Sequence, residues 1–438
     1  MRSRTLVGPV LLTAACTGGT AVPVSMRGAG PHAAPGTWQD PVSREGPSLL
    51  AADAGEGSDA SEEDGGTTVY TGPWTPAMPP SVPQVQYGGG PVLASPLLQS
   101  ISFAGYSQTY DVDELVATIG STDFFQQAVA EYGVGPATAM PPVHLPTGAP
   151  ADLDDEQIKP WLVSLIQSGG VMPAAPGAIY MLFYPSSTAL TLNGTDSCWQ
   201  FGGYHNSVLV DGVSVAYAVI PQCVVDDWTT LQTTTSAASH EIIEASTDPT
   251  PLTSTLAWSG TDTQHFFWQA VLGGEIADMC AQWTSSFYTP LGYPYMVQRP
   301  WSNAQATAGH DPCKPGLPNE VYFNSVPVFT DLVTIIDGTG QPHATGGVAI
   351  AVNQTRTVDV QLFSDGPAAP WTVSALNPAT FPAELTMSWD SLTGQSGDTL
   401  HLTITVEGFN EFWGGDPFII ESTQGNITNY WLGYVGAP

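Results

Sequence analysis

The chain is poor in positive charge. Only 8 of its 438 residues are Lys or Arg, against 40 Asp and Glu, which gives a formal net charge of -32 at pH 7. Nucleic acids and anionic membranes are held by neutralising phosphate, and that requires a basic stripe this chain cannot supply. Charged residues of either sign make up only 11 %. The acidity therefore comes from missing bases and not from the dense carboxylate coat of a salt-adapted protein. The apolar run near the start, Leu6 to Ala15, is too brief to span a bilayer. Cysteine is scarce, with five residues and no CxxC pair, which speaks against a thiolate zinc site. The GxSxG elbow, the Walker A loop and a GxGxxG after a strand are all missing, so serine and nucleotide chemistry are set aside. What is plentiful is Gly, Pro, Ser, Thr and Trp, the mixture of a loop-rich, β-rich extracellular protein.

Export fits the first residues. Arg2 and Arg4 precede the short apolar run, so residues 1–16 are predicted to be a signal peptide. Its end, Thr13-Ala14-Ala15-Cys16, resembles a bacterial lipobox, with the usual apolar residue displaced to Leu12; the chain is either released or anchored through lipid at Cys16. Both outcomes are extracytoplasmic. If Cys16 is lost or lipidated, four cysteines remain, and local spacing predicts Cys198–Cys223 and Cys280–Cys313 as disulfides in an oxidising compartment.

Three further segments follow. Residues 17–84 are rich in Gly, Pro, Ala and Ser, carry the acidic patch Asp53, Glu56, Asp59, Glu62, Glu63 and Asp64, and show no apolar periodicity. They read as a disordered tether. Residues 85–318 mix strand-like runs, such as Ile179 to Tyr184 and Val208 to Val210, with helical stretches. One of these has Ser121-Thr122-Asp123 as its cap and Phe124, Phe125, Ala128, Val129 and Tyr132 as its apolar face. This mixture predicts an α+β or α/β domain, metallohydrolase-like if the His240-Glu241-x-x-Glu244 motif within it binds metal. Residues 319–438 alternate with period two, as in Val358 to Leu362 and Leu400 to Val406, which predicts an all-β, immunoglobulin-like sandwich.

The chemistry concentrates at Ser239-His240-Glu241-Ile242-Ile243-Glu244, with Thr247-Asp248-Pro249 after it. On a helix His240 and Glu244 share one face, with Glu241 beside them. Imidazole and carboxylate both ligate zinc, and the acid next to the His can serve as general base on a metal-bound water, as in the HExxH hydrolases. Here Glu replaces the second His, which adds negative charge and leaves Mn, Fe or Ca open beside Zn. A third ligand is needed, and Gly274-Glu275-Ile276-Ala277-Asp278-Met279-Cys280 offers Glu275 or Asp278, one as ligand and the other holding the imidazole. Arg299, one of the few bases, would stabilise an oxyanion or neutralise the carboxylates. His205, His265 and His310 lack ligand spacing and read as polar surface or satisfied core. A glycosidase built on paired acids stays open as well.

Several short blocks carry a family resemblance. Tyr87-Gly88-Gly89-Gly90-Pro91-Val92, then His240-Glu241-x-x-Glu244 with Thr247-Asp248-Pro249, then Glu275-Ile276-Ala277-Asp278-x-Cys280, and finally Trp301-Ser302-Asn303 with Cys313 occur in the order found in the Exordium/phosphate-induced protein family. The chain resembles a bacterial or fungal-type relative over about residues 87–315. The resemblance implies an extracellular or cell-wall-associated protein, from a family whose plant members are linked to growth responses without a settled biochemical activity.

Two functions are compatible with these features. One is a secreted or envelope-anchored metal-dependent hydrolase, zinc peptidase-like, acting on an extracellular peptide or cell-wall substrate with Glu241 as base. The other is a non-enzymatic extracellular binding or adhesion protein, in which the sandwich stacks Trp and Tyr on carbohydrate.

Overall fold

Ala178–Tyr184 is a run of seven buried apolar and aromatic residues, long enough for one strand and apolar on both faces. Such a strand belongs in the middle of a sheet covered on both sides. In the computed structural model, which describes residues 70–225, 228–252, 255–377, 384–410 and 412–438, it does lie centrally. It runs parallel to Leu97–Ser102 on one side and to Val213–Pro221 on the other. Tyr204–Val210 closes one edge antiparallel to Val213–Pro221. The short strands Thr138–Ala139 and Val143–His144 add to the opposite edge.

The helix Thr230–Thr247 packs on one face of this sheet. It begins in a reciprocal capping box between Thr229 and Gln232, and every residue from Thr233 to Thr247 is buried. A helix this rich in Ser and Thr can be buried because its hydroxyls bond back to its own carbonyls. Ser236 donates to Thr233 O, Ser239 to Ser236 O, Ser246 to Ile242 O and Thr247 to Ile243 O. The predicted capped helix is present as Asp123–Val129, with Thr122 Oγ1 accepting from Phe125 N and with Phe124, Phe125, Ala128 and Val129 buried. Both predicted disulfides, Cys198–Cys223 and Cys280–Cys313, are formed.

The C-terminal part is two sheets around a shared core that includes Val360, Trp371, Leu402, Ile404, Phe418 and Ile420. One sheet joins Phe323–Pro327, Thr355–Ser364, Thr399–Val406 and Leu385–Trp389. The other joins Asp331–Ile336, Pro342–Ala349, Ile427–Gly436, Gly415–Gln424, Trp371–Leu376 and Thr393–Gly394. All pairings are antiparallel except that of Pro342–Ala349 with Ile427–Gly436. The molecule is thus mixed α and β, and rich in strands.

Two expectations change in detail. The boundary near residue 318 divides the topology but not the core: Trp268 and Trp301 pack on Trp431 of the second part, with ring centroids 5.4 and 6.5 Å away. The tether also ends sooner than residue 84. Tyr70 to Gln84 form neither helix nor strand, yet Trp74 Nε1 donates to Ser364 Oγ and Gln84 N to Asp262 Oδ2. Backbone without ladder partners is held here by side-chain bonds to the folded parts. The predicted signal peptide, Cys16 and the tether up to residue 69 lie outside the described residues. Among the described residues no helix is long and apolar enough to cross a membrane.

Candidate metal centre

His240 and Glu244 emerge one turn apart from the buried face of Thr230–Thr247, with His240 Nε2 3.0 Å from Glu244 Oε2. Neither atom has a hydrogen bond. Asp278, at the start of the short helix Asp278–Ala281, approaches from the far side, its Oδ1 3.7 Å from His240 Nε2. Its backbone N–H donates to Glu244 Oε1 at 3.0 Å. Both carboxylate oxygens of Asp278 are buried without a hydrogen-bond partner. Room for that carboxylate comes from Gly273, where a Cβ would fall 2.0 Å from Asp278 Oδ2 and where φ is +116°. Only glycine satisfies both conditions.

The orientation of His240 follows from its outer nitrogen. Gln298 Nε2 donates to Ala277 O at 2.7 Å, which leaves Gln298 Oε1 as an acceptor, 2.8 Å from His240 Nδ1. His240 must therefore donate from Nδ1, and in a neutral ring Nε2 presents its lone pair to Glu244 and Asp278. An acceptor facing acceptors at 3.0 and 3.7 Å needs a proton or a cation between them. Four ligands held tetrahedrally about 2.0–2.1 Å from zinc stand about 3.3 Å apart, close to the spacings seen. A ligand imidazole that donates its other N–H to a fixed acceptor is the usual support of a metal site.

A second histidine joins this group. His205 lies on the edge strand Tyr204–Val210, opposite Ala218. Its neighbours Tyr204 and Asn206 point to the other face of the sheet, where they donate to Asp155. Period-two alternation then turns His205 toward the helix. Its Nδ1 is 3.3 Å from Glu241 Oε2 and 3.8 Å from Glu244 Oε2. Its Nε2 lies 3.0 Å from the carbonyl of Asp248 and 3.5 Å from Glu275 Oε1. His205 is a buried residue with both ring nitrogens hydrogen-bonded, as the satisfied-core expectation has it, but its partners belong to the acidic cluster. It was missed because strand pairing, and not chain spacing, brings it to the helix; the one sequence signal was a His in an alternating strand, out of phase with its polar neighbours. Glu241 packs against Gly203, where a Cβ would lie 2.9 Å from its Oε1.

Two donor sets in this cluster can hold an ion: His240, Glu241 and Glu244, and His205, Glu244 and Glu275. Of the predicted site residues, His240, Glu241, Glu244, Glu275 and Asp278 are brought together, each at most 2 % exposed. Arg299 is not. Its guanidinium donates to the carbonyls of Ser285, Cys313 and Pro315 and to Asp311. It staples the segment around the Cys280–Cys313 disulfide, because a buried guanidinium takes whatever fixed acceptors surround it.

The electrostatics describe a cluster short of positive charge. Burial opposes charging His240, yet the charges of Glu244, Glu241 and Asp278 outweigh it and push the imidazole up to about 10. His205 is raised in the same way, with Glu241 and Glu244 overcoming burial. Burial raises Asp278 well above the carboxylate range and also raises Glu241 and Asp248. Glu244 is lowered, since His240 outweighs its burial. Among the described residues no Lys or Arg forms an ion pair with these acids.

Comparison with known proteins returns no match to the chain, whether among family models, curated proteins or solved structures.

Proposed function

We propose that the chain is an extracytoplasmic metal-dependent hydrolase, zinc peptidase-like, acting on an extracellular peptide or cell-wall substrate. The observation that carries this reading is His240, whose Nδ1 is committed to Gln298 and whose Nε2 faces two carboxylates without a hydrogen bond. His240 and Glu244 would hold a divalent cation together with Glu241 or with Asp278, whose Oδ1 is 3.7 Å from His240 Nε2, and Zn, Mn, Fe or Ca is compatible with the donors. When bound, the cation would supply Lewis acidity, polarising a carbonyl and easing deprotonation of water. Glu241, beside the ligands and raised by burial, is suited to take that proton and pass it to the leaving group. The two disulfides fit an oxidising, extracytoplasmic setting. The Exordium-like blocks His240 to Pro249 and Glu275 to Cys280 coincide with the cluster, which links that resemblance to a metal centre.

One observation favours a second reading. Because every donor side chain is nearly inaccessible, a substrate reaches them only if covering residues move, whereas an ion that merely ties the fold together needs no such opening. In that case the chain is a non-enzymatic extracellular binding or adhesion protein. Metal content and turnover of protein- and cell-wall-derived peptides by the purified chain separate the two. The hydrolase reading expects bound metal, activity abolished by a chelator, and Glu241→Gln that keeps the metal but loses at least 100-fold in kcat. Metal without turnover supports the second reading. Protein that binds no metal sinks both forms of the centre.

A further inference from the structure

We propose that the centre is dinuclear, with two divalent cations sharing the carboxylate of Glu244, one on His240 and the other on His205. This rests on reading the cluster as a metal centre and specifies its nuclearity.

Donors to a single ion, each about 2.0–2.2 Å from it, cannot stand more than about 4.4 Å apart. No donor set drawn from the described residues contains both histidines; each belongs to its own set, and the two sets share Glu244. One ion can therefore serve only one of the two imidazoles.

His205, like His240, has one ring nitrogen fixed by an acceptor outside the acidic cluster. The carbonyl of Asp248 can only accept, so at 3.0 Å it takes the proton of His205 Nε2. The remaining nitrogen, Nδ1, faces the acids, hydrogen-bonded with Glu241 Oε2 at 3.3 Å and 3.8 Å from Glu244 Oε2. Both rings have an outer N–H anchored by a fixed acceptor and an inner nitrogen aimed at carboxylates. Glu244 is placed between them. Its Oε1 is occupied by the Asp278 N–H, while Oε2, which has no hydrogen bond, lies 3.0 Å from one inner nitrogen and 3.8 Å from the other. An oxygen so placed can bridge two ions at the roughly 3.5–4 Å spacing of two-metal hydrolytic sites.

Glu241, Glu244, Asp248, Glu275 and Asp278 are five buried carboxylates, and Glu244 and Asp248 lie at the C-terminal end of Thr230–Thr247, where the helix dipole adds further negative potential. If all five acids ionise around neutral imidazoles, one divalent cation leaves a formal charge of about -3 in a low-dielectric site, and two leave about -1. The second ion removes most of what the first leaves uncompensated.

The test is stoichiometry with spectroscopy on the full chain. Metal-free protein is titrated with Mn2+, bound metal is counted by elemental analysis, and electron paramagnetic resonance reports whether the ions are coupled. The expected result is two equivalents with an exchange-coupled multiline signal. His205→Ala should retain one equivalent with an isolated six-line signal. Glu275→Gln should do the same if the His205 variant fails to fold by circular dichroism. One equivalent in the unaltered chain, retained by both variants, overturns the dinuclear centre but leaves the mononuclear reading standing. Two equivalents retained in both folded variants overturn the assignment of the second ion to His205 and Glu275. No bound metal in the unaltered chain overturns both proposals.

Discussion

Gln298 Oε1 accepts the Nδ1 proton of His240 at 2.8 Å, and Gln298 is itself fixed by the carbonyl of Ala277 and by Ser239 Oγ, which accepts its backbone N–H. One amide thereby decides which nitrogen of His240 faces the carboxylates. Gln298→Ala should leave every ligand in place but release the ring. Losses of about 10- to 100-fold in metal affinity are typical when such a supporting partner is removed. Competition against a chelator of known affinity measures it; an unchanged dissociation constant would show that the ring is held by the ligands alone.

The Cys280–Cys313 disulfide closes a segment of 33 residues and starts two positions after Asp278. In the chain-entropy account a loop of this length contributes about 3–4 kcal/mol. Replacing both cysteines by Ser should lower stability to denaturant by about that amount and weaken metal retention, since Asp278 loses its anchor. A loss well below 1 kcal/mol would mean that Arg299, bonded to the carbonyls of Ser285, Cys313 and Pro315, suffices to hold the segment.

Trp431 belongs to the C-terminal sheets but packs edge-on against Trp268, with ring centroids 5.4 Å apart. Trp431→Ala should cost about 3–5 kcal/mol, as for other large core aromatics. Calorimetry should show this loss in the transition that also unfolds the part carrying His240. Destabilisation confined to a separate sandwich transition would show that the shared core does not couple the two parts.

Asp416 is buried in the strand Gly415–Gln424 and accepts from Asn410 N and Asn377 Nδ2. Burial is the largest influence and outweighs those bonds, pushing its carboxyl up to about 6. Its folded value is raised, so between about 4 and 6 the folded state binds more protons than the unfolded state, and stability falls as pH rises through that window. The contribution is of order 1–2 kcal/mol after allowing for solvent screening. The difference in thermal midpoint between the unaltered chain and Asp416→Asn should therefore change between pH 4 and 6 and stay flat above 7. A constant difference across the range would remove Asp416 as the titrating group.

Much of the centre was legible in the chain. His240 and Glu244 were paired by helical spacing, Glu275 and Asp278 by their acidic doublet ahead of Cys280, and the disulfides by local separation. Arg299 reads as a partner of the carboxylates only because bases are scarce; composition reports a deficit but not where the remaining bases point. His205 and Gln298 carried no spacing signal, since each reaches the site by strand position from 35 and 58 residues away from His240 in sequence.

The sequence by itself determined what is local: an i,i+4 His–Glu face, a capped helix, alternating strands and a shortage of bases. The tertiary structure alone decided which histidine meets which acid, that the acids are buried together, and that tryptophans from both parts share one core. Periodicity reports the face a residue occupies on its own element. The partner across that face depends on how elements stack, and the energy of stacking is spread over many apolar contacts that leave no short motif.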